Sequence, residues 1–240
     1  GGAGGSGTNC TPGQPAGPGG NGRASVYAYG PTNPVTYAGG GAGGGNNGPG
    51  GTGGPGGGGP GGNSLNTHPG APTEQQQGTH ATFSTGSGGG GGAANVVIGG
   101  NGASGIVVVR YQIASLTATA KATGGAISFY SGKTIHTFTG SGTFANPTAL
   151  NGGNPNPLSV EYILVGGGGG GGGGTYHGAG GGAGGYRTST ATVPSASSYT
   201  VTVGSGGEGS PSVGVPSNIP GGAGTFSQFG PGIFVGSGGG

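Results

Sequence analysis

Side chains that could carry out acid–base, nucleophilic or metal chemistry are scarce in this 240-residue chain. Its carboxylates are Glu74, Glu161 and Glu208, and there is no Asp. General acid–base catalysis needs positioned groups converging on one bond, and these three stand far apart in sequence. His68, His80, His136 and His177 follow one another at intervals of 12, 56 and 41 residues, which match no compact metal-ligand spacing. A Ser-His-Asp triad cannot be written without Asp. Calcium loops, which need several carboxylates close together, are absent. Gly-x-Gly-x-x-Gly recurs throughout, but never between a strand and a helix, where it would cradle a dinucleotide. Cys10 is the single cysteine, which excludes an intrachain disulfide framework. It lies in a glycosylation sequon, Asn9-Cys10-Thr11, that Pro12 follows. The expectation is a chain that is not an enzyme, with no catalytic, metal-binding or cofactor-binding residue and no cofactor.

What remains is recognition by neutral polar and aromatic side chains. Two loops stand out as surface contact sites: Glu74, Gln75, Gln76 and Gln77 in one, Tyr176 and His177 in the other. Tyr27, Tyr29, Tyr37, Tyr176 and Tyr186 also sit beside glycine-rich turns. Tyr on a rigid loop suits carbohydrate or protein contacts. The same rings could instead cap the edges of glycine layers, and the sequence leaves both readings open.

The elements that would position these loops follow from an unusual composition. Gly accounts for 76 residues and Pro for 18, and charged residues for 3%, against about 25% in ordinary soluble proteins. The net charge of +2 is spread thinly, so neither nucleic acid nor an anionic membrane is an expected partner. No apolar stretch approaches the ~18 residues of a membrane span. Helical periodicity is absent, and Gly and Pro would break helices throughout.

Strand signals are clearer. They cover Gly105–Ile113, Ala126–Tyr130, Lys133–Thr139, Leu158–Val165 and Tyr199–Val203, with Ser131-Gly132 as a two-residue hairpin turn. In Lys133–Thr139, Thr134, His136 and Phe138 share one face, and Ile135 and Thr137 the other. Residues 1–105 read as a glycine-rich region ending one module. Residues 106–165 read as a small antiparallel β unit, which the alternation of 186–203 extends. Residues 166–240 read as a second glycine-rich region, carrying strand 199–203 and opening the next module. An internal echo supports a repeat: Pro18-Gly-Gly-Asn-Gly22 leads to Tyr29-Gly30-Pro31, and Pro220-Gly-Gly-Ala-Gly224 leads to Phe229-Gly230-Pro231.

Gly costs more backbone entropy than any other residue, so order requires a structure that needs Gly. Collagen demands Gly at every third position. That spacing holds from Gly45 to Gly57 and fails at Pro60. A left-handed extended helix with about three residues per turn and 3.1 Å rise does not need that period. Bare backbones of this form can pack side by side and hydrogen-bond to one another. The nine glycines Gly166 to Gly174 would span about 28 Å. A flexible glycine-rich linker is the competing reading. The expected fold class is mainly β with packed left-handed polyglycine-type helices, no α-helix, repetitive and fibrous.

Lys133-Thr-Ile-His136-Thr-Phe138-Thr-Gly-Ser-Gly-Thr-Phe144 resembles the opening β signature of glycine-rich domains in phage tail-fibre and virion appendage proteins. Val160-Glu-Tyr-Ile-Leu-Val165 entering the glycine run, Gly184-Gly-Tyr186-Arg187 and Tyr199-Thr-Val-Thr-Val203 continue that likeness. Ser104-Gly-Ile-Val-Val-Val-Arg110-Tyr111 resembles a closing strand of such a domain. The resemblance implies a structural, adhesin-like part of an extracellular or virion-surface fibre that contributes to host-surface attachment. The alternatives are a self-assembling cellular filament or matrix protein and, third, an ice-binding protein. Expected partners are identical subunits or tandem copies end to end, and a host surface glycan or protein. No nucleic acid or membrane insertion is expected.

Overall fold

A computed structural model describes residues 1–7, 15–46, 48–64, 76–93, 98–112, 120–147, 157–174, 177–211 and 219–240. The described residues are mainly β and contain no α-helix. A five-stranded sheet runs β4 (Ala126–Tyr130), β5 (Lys133–Phe138), β3 (Ile106–Gln112), β7 (Leu158–Val165), β8 (Tyr186–Val193). A four-stranded sheet runs β11 (Phe234–Val235), β10 (Ser227–Phe229), β9 (Ser197–Thr202), β6 (Gly142–Asn146). A separate hairpin pairs β1 (Arg23–Ser25) with β2 (Val35–Tyr37). Every strand pairing is antiparallel.

The expected strands fall where the sequence pattern put them. Ser131 and Gly132 close the β4–β5 hairpin with φ of 48° and 72°, the two left-handed residues that a type I′ turn requires. The sequence pattern named no separate strand at β6, which lies inside the expected β unit, and passed over β1, β2, β10 and β11. These last four have two or three residues each and lie inside glycine-rich sequence.

The two larger sheets face each other across a core. The five-stranded sheet contributes Val107, Val109, Tyr111, Phe138, Val160, Tyr162 and Leu164; the four-stranded sheet contributes Phe144, Val201 and Phe229. Phe144 and Phe229 meet edge to face at 5.6 Å between centroids, the geometry aromatic quadrupoles favour. The opposite face of the five-stranded sheet is also covered. There Ile106, Val108, Ile135, Ile163 and Val165 pack with Tyr37 and Ala38 from the N-terminal region. Burial on both faces explains why β3 is a continuous apolar run rather than an alternating one.

The glycine-rich segments join the sheets end to end. The segment 166–174 continues from β7, 178–185 enters β8, 98–105 enters β3, 38–46 continues from β2, and 236–240 continues from β11. Their hydrogen bonds have a period of three. Gly166, Gly169 and Gly172 donate to the carbonyls of Gly185, Gly182 and Ala179; Gly167, Gly170 and Gly173 donate to Thr225, Gly222 and Ile219; Gly168 and Gly171 donate to Ala103 and Gly100. These bonds are 2.8–3.0 Å long. The carbonyls of the same segment accept from 86–93, 204–210 and 236–240, so six segments surround it.

Residues 38–46 and 86–93 are surrounded in the same way. Gly40 and Gly43 donate to Gly20 and Gly17, Gly41 and Gly44 to Gly181 and Gly178, Ala42 and Gly45 to Gly59 and Gly62. The surrounding segments are also bonded to one another in ring order, which makes the whole a hexagonal array. Segments from residues 1–105 and from residues 166–240 interleave in it. Ser227 ties the array to the sandwich: its buried hydroxyl donates to Val165 O at 2.7 Å and accepts from Gly204 N at 2.9 Å.

The sequence echo has a structural counterpart. Residues 15–22, the β1–β2 hairpin and residues 38–46 follow one another as residues 219–225, the β10–β11 hairpin and residues 236–240 do. Gly30 (φ 81°) and Gly230 (φ 63°) hold equivalent positions. A Cβ at the first would strike the Tyr130 ring, and at the second the Tyr199 ring.

Candidate functional site

The described residues hold no group of three or more His, Cys or Glu arranged to bind a metal ion. The ionisable side chains that do converge form a structural cluster on the five-stranded sheet. Arg110 on β3 and Glu161 on β7 are a cross-strand pair, joined by Arg110 Nε donating to Glu161 Oε2 at 2.9 Å. Lys133 Nζ donates to the same oxygen. Burial raises the Glu161 pKa, but the hydrogen bonds and charges of Lys133 and Arg110 together outweigh burial and hold it below the usual carboxylate range. The Arg110 guanidinium also lies 3.7 Å from the Tyr27 ring centroid, a close cation–π contact.

A second polar cluster is sealed in the core. The Tyr111 hydroxyl accepts from the backbone N–H groups of Lys121 and Ala122, both at 3.0 Å. Its proton is therefore free for His136 Nε2, 3.2 Å away. That assignment leaves the His136 proton on Nδ1, which donates to Gly124 O at 2.6 Å. Desolvation, the larger influence, lowers the His136 pKa, and the Gly124 bond opposes it only in part. His136 is fully buried and neutral. It pins residues 121–124 to the sheet and reaches no solvent.

The loops chosen for recognition lie elsewhere. Glu74, Gln75 and Tyr176 fall outside the described residues. Gln76 and Gln77 are half-buried and His177 is exposed. The fold brings the two loops to one place. Ala93 N donates to Gln76 O at 2.8 Å, and Ala93 also forms an isolated antiparallel bridge with His177. Ala93 ends the segment 86–93 on the side away from β3, β7 and β8, so both loops adjoin the far end of the array. Sequence spacing could not disclose this, because residues 77 and 177 are joined only through a third segment.

The tyrosines divide. Tyr29 is exposed, whereas Tyr37 is buried against the sheet and its pKa is pushed up to about 12, mainly by burial and further by Tyr29 and Tyr186. Tyr27 and Tyr186 pack on the same cluster. Arg23 lies over the Tyr186 ring at 5.7 Å.

The sequence missed one feature because it belongs to the array rather than to any motif. A cleft of about 900 Å³ opens along 178–180, with walls from 172–173 and 219–220 on one side and from 17–18 and 41–43 on the other. Gly1 and Gly240, both exposed, also line it.

No curated protein and no solved structure matches the chain. The family model of a glycine-rich domain matches residues 139–240. That part contains β6 to β11 and the nine-glycine segment at the centre of the array, and it is similar to glycine-rich domains.

Proposed function

We propose that this chain is a non-enzymatic structural part of an extracellular fibre, a phage tail fibre or similar virion appendage, that holds contact loops toward a host surface. The observation that carries the reading is the three-residue period of backbone hydrogen bonds around 166–174, 38–46 and 86–93. Three residues per turn with three directions of donation is the expected behaviour of a left-handed polyglycine-type helix. None of Gly166 to Gly174 has a positive φ, in keeping with that hand. The segments are then rods, and a set of rods bonded on all sides is a stiff support. Flexible-linker behaviour is hard to reconcile with amides that each have a partner.

Two further points favour a fibre. The equivalent segment–hairpin–segment units at residues 15–46 and 219–240 suit tandem modules or copies stacked end to end. The loops carrying Gln76, Gln77 and His177 adjoin one end of the array, where a support would display them. Glu74, Gln75 and Tyr176 belong to the same loops by sequence. Binding there would rest on hydrogen bonds and ring stacking, and so would respond weakly to salt.

The test is attachment. A fluorescent form of the chain is applied to host cells and to a glycan array, beside a variant with Gln75, Gln76, Gln77 and Tyr176 replaced by Ala. The expected result is at least tenfold weaker attachment of the variant with an unchanged melting curve. Undiminished attachment would overturn the recognition reading. Labelling of matrix material free of particles by an antibody to the chain would favour the cellular filament instead.

A further inference from the structure

We propose that β4 is a self-pairing edge, through which two copies of this chain join side by side with their β4 strands antiparallel. The proposal concerns the five-stranded sheet rather than the contact loops, so it does not depend on the fibre reading.

β4 ends the five-stranded sheet. Its register with β5 sets Tyr130 opposite Lys133 across the two-residue turn. In such a hairpin the residues flanking the turn exchange hydrogen bonds, and hydrogen-bonded pairs then alternate with non-bonded ones. Tyr130, Ser128 and Ala126 therefore direct their N–H and C=O groups to β5. Phe129 and Ile127 direct theirs outward, and among the described residues nothing bonds to those outward groups.

The other edges of the two larger sheets are protected. The outer edge of β6 is closed by Thr123, which exchanges hydrogen bonds of 2.9 and 3.1 Å with Ala145. β11 has only two residues. β8 exposes the polar side chains of Arg187, Thr188, Ser189 and Thr190, and its Thr192 carbonyl accepts from the Tyr199 hydroxyl at 3.3 Å. Natural sheets blunt their edges with charges, Pro, bulges or a covering segment. Ala126–Tyr130 has no charge and no Pro, pairs with β5 without a bulge, and is exposed at all five residues.

The side chains state what the partner must be. Ile127 and Phe129 lie opposite His136 and Thr134, which are fully buried, so both belong to the core face of the sheet. The covering sheet reaches His136 through Phe144, whose ring centroid lies 5.0 Å from that of the imidazole. It stops short of β4 and leaves Ile127 and Phe129 42% and 44% exposed. A partner must therefore bring strand-spaced backbone donors and acceptors together with apolar side chains on that same face. The β4 strand of a second copy brings both. Around a two-fold axis between the Ser128 residues, Ile127 meets Phe129 of the second copy, and Phe129 meets its Ile127. All the outward N–H and C=O groups of these residues are then bonded. Their four side chains form one apolar cluster that continues the core, and such cross-strand pairs are the unit of sheet stabilisation. On the opposite face Ala126 meets Tyr130, small against large, and no like charges meet. The contact is isologous and closes as a dimer.

Sedimentation velocity of the purified full chain over a range of concentrations tests this. Phe129→Lys places a charge on the edge, and Ser198→Lys, at an exposed position on β9, is the control. Wild type and Ser198→Lys are expected to dimerise with increasing concentration, and Phe129→Lys to dimerise at least tenfold more weakly with an unaltered circular dichroism spectrum. Should Phe129→Lys fail to fold, Phe129→Thr serves in its place. The register has its own test in a Cys10→Ser background. Ser128 meets itself as a non-hydrogen-bonded pair, with Cα atoms about 4.5 Å apart, inside the ~4.4–6.8 Å that a disulfide spans. Mild oxidation of Ser128→Cys is expected to give a covalent dimer, and of Ser198→Cys to leave monomers. Wild type that stays monomeric at its highest soluble concentration would overturn the proposal. So would a Phe129 variant that dimerises like wild type, or a dimer that Ser128→Cys fails to cross-link. Surface attachment by the contact loops is a separate readout, so the two readings can fail independently.

Discussion

A single methyl group at Gly170 is the most searching perturbation of the array. Gly170 is the middle of the nine-glycine segment and is buried. A Cβ there would overlap the Glu208 carbonyl oxygen and crowd Gly209 N. That oxygen is already the acceptor for Gly222 N at 2.6 Å, so it cannot retreat without stretching a second bond. Gly170 N itself donates to Gly222 O at 2.9 Å. Overpacking of a tight interior costs about 1–3 kcal/mol, and a buried amide losing its partner costs a further ~1–3 kcal/mol. Gly170→Ala should therefore lose about 2–6 kcal/mol. At this chain length 1 kcal/mol corresponds to roughly 2–4 °C in melting temperature, so the drop should be about 4–24 °C. Gly239→Ala is the control. A Cβ at Gly239 meets nothing within 4 Å, and the loss of unfolded-state freedom should leave it unchanged or up to ~1 kcal/mol more stable. Calorimetry of the two variants beside wild type reads the contrast. Equal melting temperatures for Gly170→Ala and Gly239→Ala would refute close packing and make the segment a linker.

The buried polar groups give further expectations. Since the folded protein holds His136 below its ordinary pKa of about 6.5, the unfolded chain binds the extra proton first as pH falls. Stability from this group is complete above ~6.5 and declines below it, by at most ~1.4 kcal/mol per pH unit; melting curves from pH 8 to 5 should show that slope in wild type and lose it in His136→Gln. Glu161, whose folded pKa is depressed, contributes stability that is present above its unfolded value and declines as pH falls through the folded one; Lys133→Ala should shrink this acid-side loss in an acid titration followed by fluorescence. Tyr111→Phe deprives Lys121 N, Ala122 N and His136 of their partner, and should cost about 2–4 kcal/mol in urea unfolding. Arg110→Lys keeps the charge but loses the planar stack on Tyr27, and should cost about 1 kcal/mol, measured the same way.

Strands were legible where side chains wrote them. Leu158–Val165 and Ala126–Tyr130 carry enough β-branched and aromatic residues to be read at their true boundaries, and Ser131-Gly132 marks the hairpin that joins Ala126–Tyr130 to Lys133–Phe138. The β10 and β11 strands were illegible because two or three residues cannot show a period; their pairing depends on β9 already being in place. The glycine runs by themselves suited a linker as well as packing, since a bare backbone looks the same in either state, and the expectation of packing rested on the Pro, Asn, Tyr and short strands interleaved with them. Their partners were beyond reach for the same reason. Nothing in nine identical residues says that Gly169 bonds to Gly182 while Gly170 bonds to Gly222. The two chosen loops were individually readable as polar turns. Their meeting at Ala93 required the array.

The array also explains how so much Gly is compatible with order. Ordering the backbone costs about 1–2 kcal/mol per residue, and Gly stands at the upper end. In a sheet or helix that cost is offset by side-chain burial, which Gly lacks. Here the compensation comes from proximity: without Cβ, each interior segment touches six others, and nearly every amide N–H of 166–174, 38–46 and 86–93 finds an acceptor on a neighbouring segment. Such bonds support one another only when the surrounding segments are present, because a lone segment leaves its amides to water. The β-sandwich resolves that problem. Its strands deliver the segments at fixed spacing, with β7, β8 and β3 adjacent in one sheet and 166–174, 178–185 and 98–105 issuing from them. The sheet's hydrophobic core thus pays for the first alignment, and the glycine segments extend it. Disrupting that core, as Phe144→Ala would by removing a fully buried ring between the sheets, should unfold the array together with the sandwich in a single transition; melting of the sheets with the glycine segments still protected from hydrogen exchange would contradict this dependence.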